Sequence, residues 1–161
     1  MMDFQERLEK AIERGQRASS ARAQAKAKKA ITEKELAQIH RHYRLELSEV
    51  IEGCLRKLAD HFPGFRFETI VGEAGWGAGI SRDDIAVRSR ARTNYYSRLE
   101  IVVRPASSYH VLDLAGKATI RNKELFNRSH FQQLTEVDVT SYAEMIDLWV
   151  LEYAELYAAK T

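Results

Sequence analysis

The spacing of apolar side chains changes character at Pro63-Gly64, and that change limits the fold more than any other feature of this chain. Ahead of it, Met1 to Phe62 contain no proline, and their apolar residues recur at three- and four-residue steps, the period of a helix face. Beyond it, apolar and polar residues alternate, the period of a strand with one buried side. A last amphipathic pattern then closes the chain. The order of these blocks predicts an α+β protein: a long N-terminal helix or helix pair, an antiparallel meander of about five to six strands, and a C-terminal helix packed on one face of the sheet in two layers.

Asp3 and Glu6 have capping-box spacing, so a helix is expected to start there. Its large apolar residues stop at Phe4, Leu8 and Ile12, and beyond them only Ala18, Ala21 and Ala25 recur at helical spacing, too little area for the segment to bury on its own account. Thr32 and Glu35 offer a second capping box, with Ile31 and Leu36 at hydrophobic-staple positions, but neither Gly nor Pro separates the segments. One continuous helix and a helix pair both stay open. From Leu36 the stripe Ile39, Tyr43, Leu47, Val50, Cys54 and Leu58 follows an eleven-residue period that suits packing on a sheet or a nearly straight coiled-coil seam. Residues 1–31 are thus expected to form a basic helical arm, and residues 32–161 a single α+β domain.

In the middle, Phe65 to Val71 reads as a first strand and Gly72 to Gly79 as a glycine-rich loop. Strands around Ile85-Val87 and Leu99-Val103 follow, with a more central one at Tyr109 to Leu114. Gly116-Lys117 reads as a turn, and Ala118 to Arg121 with Leu125 to Arg128 as a hairpin about Asn122-Lys123-Glu124. Asp138, Thr140 and Ser141 compete to cap the final helix. Tyr142, Met145, Ile146, Trp149, Tyr153, Leu156 and Tyr157 form its apolar face.

Composition narrows the function classes. The single cysteine, Cys54, excludes an internal disulfide and is expected to be a buried, inert thiol. There is no apolar leader and no run of about 20 apolar residues, so the expectation is a cytoplasmic protein with no membrane partner. The net charge of +2 hides an uneven distribution. The chain from Asp138 onward is acidic, whereas Arg14, Arg17, Arg22, Lys26, Lys28 and Lys29 follow one another with no acid between them.

No pattern calls for a cofactor, a metal or a catalytic residue. The four glycines of Gly72 to Gly79 match neither the dinucleotide fingerprint nor a phosphate-binding loop. Asp83 and Asp84 are neighbours on a strand and should diverge, and the five histidines show no paired-ligand spacing. The candidates are interaction residues. Besides the basic run, these are Trp76, the arginines Arg88, Arg90, Arg92 and Arg98, and Tyr95 with Tyr96, expected in a loop beside Arg90 and Arg92. Arg66, Arg104, Arg121 and Arg128 are expected to join them on an open sheet face, either clamping phosphate or forming cross-strand ion pairs with Glu68 and Glu100.

Three functional expectations follow. The first is a non-catalytic interaction or scaffold protein, self-associating through its arm as a homo-oligomer, a dimer foremost, or joining a partner protein. The second is nucleic-acid binding through the arm and the arginine-rich face. The third is a small-ligand protein or enzyme with Gly72 to Gly79 as a lid.

Overall fold

A computed structural model describes residues 3–88 and 90–160, with the side chains of 28–31, 86 and 88 outside that description. The elements are helix α1 (Phe4–His61), strands β1 (Arg66–Gly72), β2 (Gly75–Arg88), β3 (Ala91–Val103), β4 (Val111–Ile120) and β5 (Lys123–Gln133), a 3-10 turn at Leu134–Glu136, and helix α2 (Val139–Lys160). The chain divides into two units, Met1–Gln38 and Ile39–Thr161.

In the first unit the backbone is helical from Phe4 onward, and every described side chain from Asp3 to Ala27 is exposed. The expected cap forms: the Glu6 N–H donates to Asp3 Oδ1 at 2.9 Å. Pairs one turn apart follow, Gln5 with Glu9 at 3.3 Å and Arg17 with Glu13 at 3.7 Å. Thr32 does not interrupt the helix, because a threonine is tolerated in mid-helix when no glycine or proline enforces the cap.

In the second unit the sheet is a five-stranded antiparallel meander in sequence order, β1-β2-β3-β4-β5. The rest of α1 and α2 cover one face. Leu47, Ile51 and Leu55 are fully buried and Leu58 nearly so, whereas Val50 and Cys54 are only half-buried. The buried stripe is therefore rotated from the expected one by part of a turn, toward Ile51 and Leu55. Across from it the sheet buries Ile80, Leu99, Ile101, Leu112 and Leu114, and α2 contributes Tyr142, Ile146, Trp149 and Tyr153. Buried hydroxyls find acceptors: Tyr142 donates to the Leu112 carbonyl at 2.5 Å and Tyr153 to that of Thr119 at 2.9 Å.

Several local expectations change. Only Glu73 and Ala74 separate β1 from β2, so Gly75 to Gly79 lie in a strand, not in a loop. Gly79 leaves room on the open face for the Arg98 guanidinium, since a Cβ there would lie 2.8 Å from Nη2. Gly116-Lys117 is no turn either. Gly116 sits in mid-β4 because Trp149 of α2 packs on it, leaving no space for a Cβ. The turn comes at Arg121-Asn122, both at left-handed φ, 48° and 71°. Asn122 also continues the ladder where β4 ends, its side chain accepting from the Tyr96 N–H and donating to the Asn94 carbonyl, each at 2.8 Å. At the start of α2, Asp138 is the cap, its Oδ1 accepting from the Thr140 N–H at 3.1 Å.

Candidate interaction surfaces

The arm segregates its charges around one short apolar strip. Phe4, Leu8 and Ile12 are each four residues apart and stay exposed at 75%, 41% and 51%. At about 100° per residue, Glu6, Glu9 and Glu13 fall on one flank of that strip and Arg7 and Arg14 on the other. The basic run itself winds around the helix. Arg14 and Arg17 share a side, while Arg22 and Lys26 come round in line with Phe4 and Leu8, and all four are exposed. Lys28 and Lys29 lie in the helix, with side chains outside the described residues.

On the open sheet face the arginines meet carboxylates of the same chain. Arg98 lies between Glu68, at 2.6 Å, and Glu100, at 3.5 Å. Burial works against its charge, and the two carboxylates outweigh that, holding its pKa above the ordinary value. Arg66 pairs with Asp83 at 3.5 Å and Arg104 with Asp113 at 3.6 Å. Arg128 is not on this face. It reaches α2 and binds Glu152 through two nitrogens at 2.6 and 3.1 Å. A hollow of about 390 Å³ over Val102 and Ala115 is rimmed by both signs, Glu73 and Glu100 against Arg104 and Lys117.

The Tyr95 and Tyr96 expectation is corrected in one respect: both belong to strand β3, not to a loop. They point to opposite sides of it. Tyr95 is half-buried beneath the Arg121 guanidinium at 4.7 Å, and Tyr96 is exposed on the open face. Arg90 and Arg92 stand at the tip of the β2–β3 hairpin, Arg90 at φ 70°, with exposed Ile85 and Val87 behind them. Arg88 lies in β2, its side chain outside the described residues. Trp76 is packed back into the fold, half-buried under the Arg44 guanidinium at 4.1 Å. As expected, the Asp83 and Asp84 side chains diverge, Asp83 toward Arg66 and Asn94 and Asp84 toward Arg82 at 2.8 Å.

A third surface escaped the sequence reading. Between α1 and α2 runs a furrow of about 520 Å³, lined by Leu58, Phe62, Val150, Leu151 and Ala154 and walled by Lys57 and Asp147. Cys54 lies within it, its thiol donating to Asp147 Oδ1 at 3.5 Å. Burial first, and the Asp147 carboxylate second, push the thiol's pKa up, so it stays protonated and unreactive at neutral pH. The available signal was Leu148 and Leu151, which fall outside the expected apolar face of α2 and are exposed at 59% and 64%.

Other titratable groups serve the fold. His40 is buried and its Nε2–H donates to the Arg104 carbonyl at 3.1 Å, and His130 packs edge-on to Tyr142 at 4.6 Å. Among the described residues no three His, Cys, Asp or Glu side chains are grouped to hold a metal ion, and no helix is long and apolar enough to cross a membrane. No family model, curated protein or solved structure matches this chain.

Proposed function

We propose that this is a non-catalytic cytoplasmic protein whose task is assembly, and that it self-associates, as a dimer in the simplest case, through its N-terminal arm. The observation that carries the reading is the exposure of Phe4, Leu8 and Ile12 on a helix whose other described side chains, through Ala27, are all exposed. Such side chains are worth roughly 1.5–3 kcal/mol each when fully buried, so two arms burying three apiece gather about 9–18 kcal/mol to set against the cost of association. Two features favour a protein contact over the alternatives. The open-face arginines Arg66, Arg98 and Arg104 already have carboxylate partners, so a phosphate would have to displace them. The glycine-rich segment expected as a lid is mostly strand paired on both edges.

Sedimentation equilibrium across ~1–100 µM tests the proposal. The wild-type chain is expected to self-associate and the Phe4→Ser, Leu8→Ser, Ile12→Ser triple variant to sediment as a monomer. A monomeric wild type refutes it.

A further inference from the structure

The furrow between α1 and α2 presents apolar surface in a setting of mostly acidic charge. Around it the outward side of the helix layer carries Glu46, Glu49, Asp60, Glu144, Asp147 and Glu155 against Arg56 and Lys57, a net negative surface, so a second helix layer of the same kind would meet it with like charge. An amphipathic helix that keeps its acids and bases on separate flanks, as the Phe4–Ile12 stretch does, can set its basic flank against that acidic charge. We propose that the furrow receives the Phe4–Ile12 stretch of a second copy, so that self-association runs through an arm-in-groove contact made in trans. This rests on the assembly reading above and names the receiving surface.

Three properties of the two surfaces agree. The first is length: the furrow walls run from Cys54 to His61 and from Asp147 to Ala154, about 10 Å each, and Phe4 to Ile12 extends about 12 Å at ~1.5 Å per residue. The second is chemistry: Phe4, Leu8 and Ile12 offer three side chains in helical register to a floor of Leu58, Phe62, Val150 and Leu151, the pattern by which an amphipathic helix fills a groove. The third is charge on both sides. The α1 wall carries Lys57, and the α2 wall carries Asp147 with Glu144 and Glu155 beyond it. The arm has acids on one flank, Glu9 and Glu13, and bases on the other, Arg7 and Arg14. With the apolar strip on the floor, one direction of the arm along the groove satisfies both walls and the reversed direction sets like charges together, so the electrostatics select the orientation.

Complementation between two broken copies tests this. Leu8→Glu spoils the arm and leaves the furrow; Leu151→Glu spoils the furrow and leaves the arm. Leu151 is 64% exposed, so the substitution leaves the core intact, and circular dichroism with a thermal melt verifies it. By sedimentation equilibrium each variant alone is expected to be monomeric, with its self-dissociation constant raised at least tenfold, and an equimolar mixture to form a 1:1 complex. A Leu151→Glu chain that still self-associates while Leu8→Glu does not overturns the furrow as receptor and leaves assembly through the arm standing. Two monomeric variants that fail to complement also overturn it. If wild type is monomeric, or Leu8→Glu self-associates as wild type does, the assembly reading falls as well. Asp147→Lys combined with Arg7→Glu and Arg14→Glu in the other copy supplies a second complementing pair should Leu151→Glu not fold.

Discussion

Adding one methyl group to Gly116 sets two effects of opposite sign against each other. The backbone there has no left-handed φ, so alanine fits the strand, and replacing glycine removes conformational freedom from the unfolded chain, a gain of about 0.4–1 kcal/mol. Against this, the new Cβ would lie 2.7 Å from Cε3 and 2.9 Å from Cζ3 of Trp149. The indole cannot simply withdraw, since it is 4% exposed and lies 6.2 Å from the Phe126 ring on its other contact. Overpacking of this kind costs about 1–3 kcal/mol, so Gly116→Ala should lose roughly 1–2 kcal/mol net. With a urea dependence of about 1–3 kcal/mol per molar, the unfolding midpoint should fall by about 0.5–1 M. Gly53 is the control. It lies in α1 with nothing within 4 Å of its would-be Cβ, so Gly53→Ala should stabilise by about 0.5–1 kcal/mol. Trp149→Phe should relieve the clash, making the double variant with Gly116→Ala more stable than the sum of the singles by at least about 0.5 kcal/mol. A Gly116→Ala midpoint at or above wild type refutes the reasoning.

Burial, with a smaller push from the Arg44 charge, lowers the His40 pKa below 6.5, so between that pH and the folded-state pKa the unfolded chain binds the extra proton. Stability should be full above pH 6.5 and decline as pH falls through the folded pKa, and His40→Gln should flatten that part of a denaturation profile; an unchanged slope refutes the assignment. At the alkaline end, burial pushes Tyr142 up to about 12 and raises Tyr153 well above the ordinary phenol, so the unfolded chain loses those protons first. Stability should hold below about pH 10 and fall as pH climbs toward the folded values. Ultraviolet titration should then show these two phenols ionising late or only with unfolding, and early reversible ionisation of all seven tyrosines counts against it. The bidentate Arg128–Glu152 pair is part-exposed, so Glu152→Gln should cost at most about 1 kcal/mol and less in high salt; a larger, salt-independent loss in chemical denaturation would be incompatible with that account.

The fold class was legible because periodicity reports burial: steps of three and four named α1 and α2, and alternation named the sheet. Misreadings arose where a residue's reason lies far along the chain. Gly116 resembles a turn in sequence, yet it is small because a tryptophan 33 positions later needs its space. The glycines after Gly75 resemble a loop for the same cause, Gly79 making way for Arg98. Tyr95 and Tyr96 do not read as part of β3 because the strand's apolar alternation begins only at Leu99, and residues 91–94 ahead of them are exposed on both sides. The spacing of Phe4, Leu8 and Ile12 is legible in sequence and the three are exposed, and of the two fates expected for the open-face arginines internal pairing is the one the geometry displays for Arg66, Arg98 and Arg104. The furrow stayed hidden because it needs two helices some ninety residues apart to be side by side.

The strictly sequential strand order has a kinetic consequence. Every neighbour in the sheet is also the neighbour along the chain, so each pairing forms by closing a short hairpin and no strand must wait for a distant one to arrive. Sheets assembled from such nearest-neighbour closures have low mean sequence separation between contacts and commit little loop entropy before reward. The long intervals belong to the helix layer, His40 of α1 reaching Arg104 and Cys54 reaching Asp147 of α2, so docking of the helices onto the sheet is the step expected to come late in refolding.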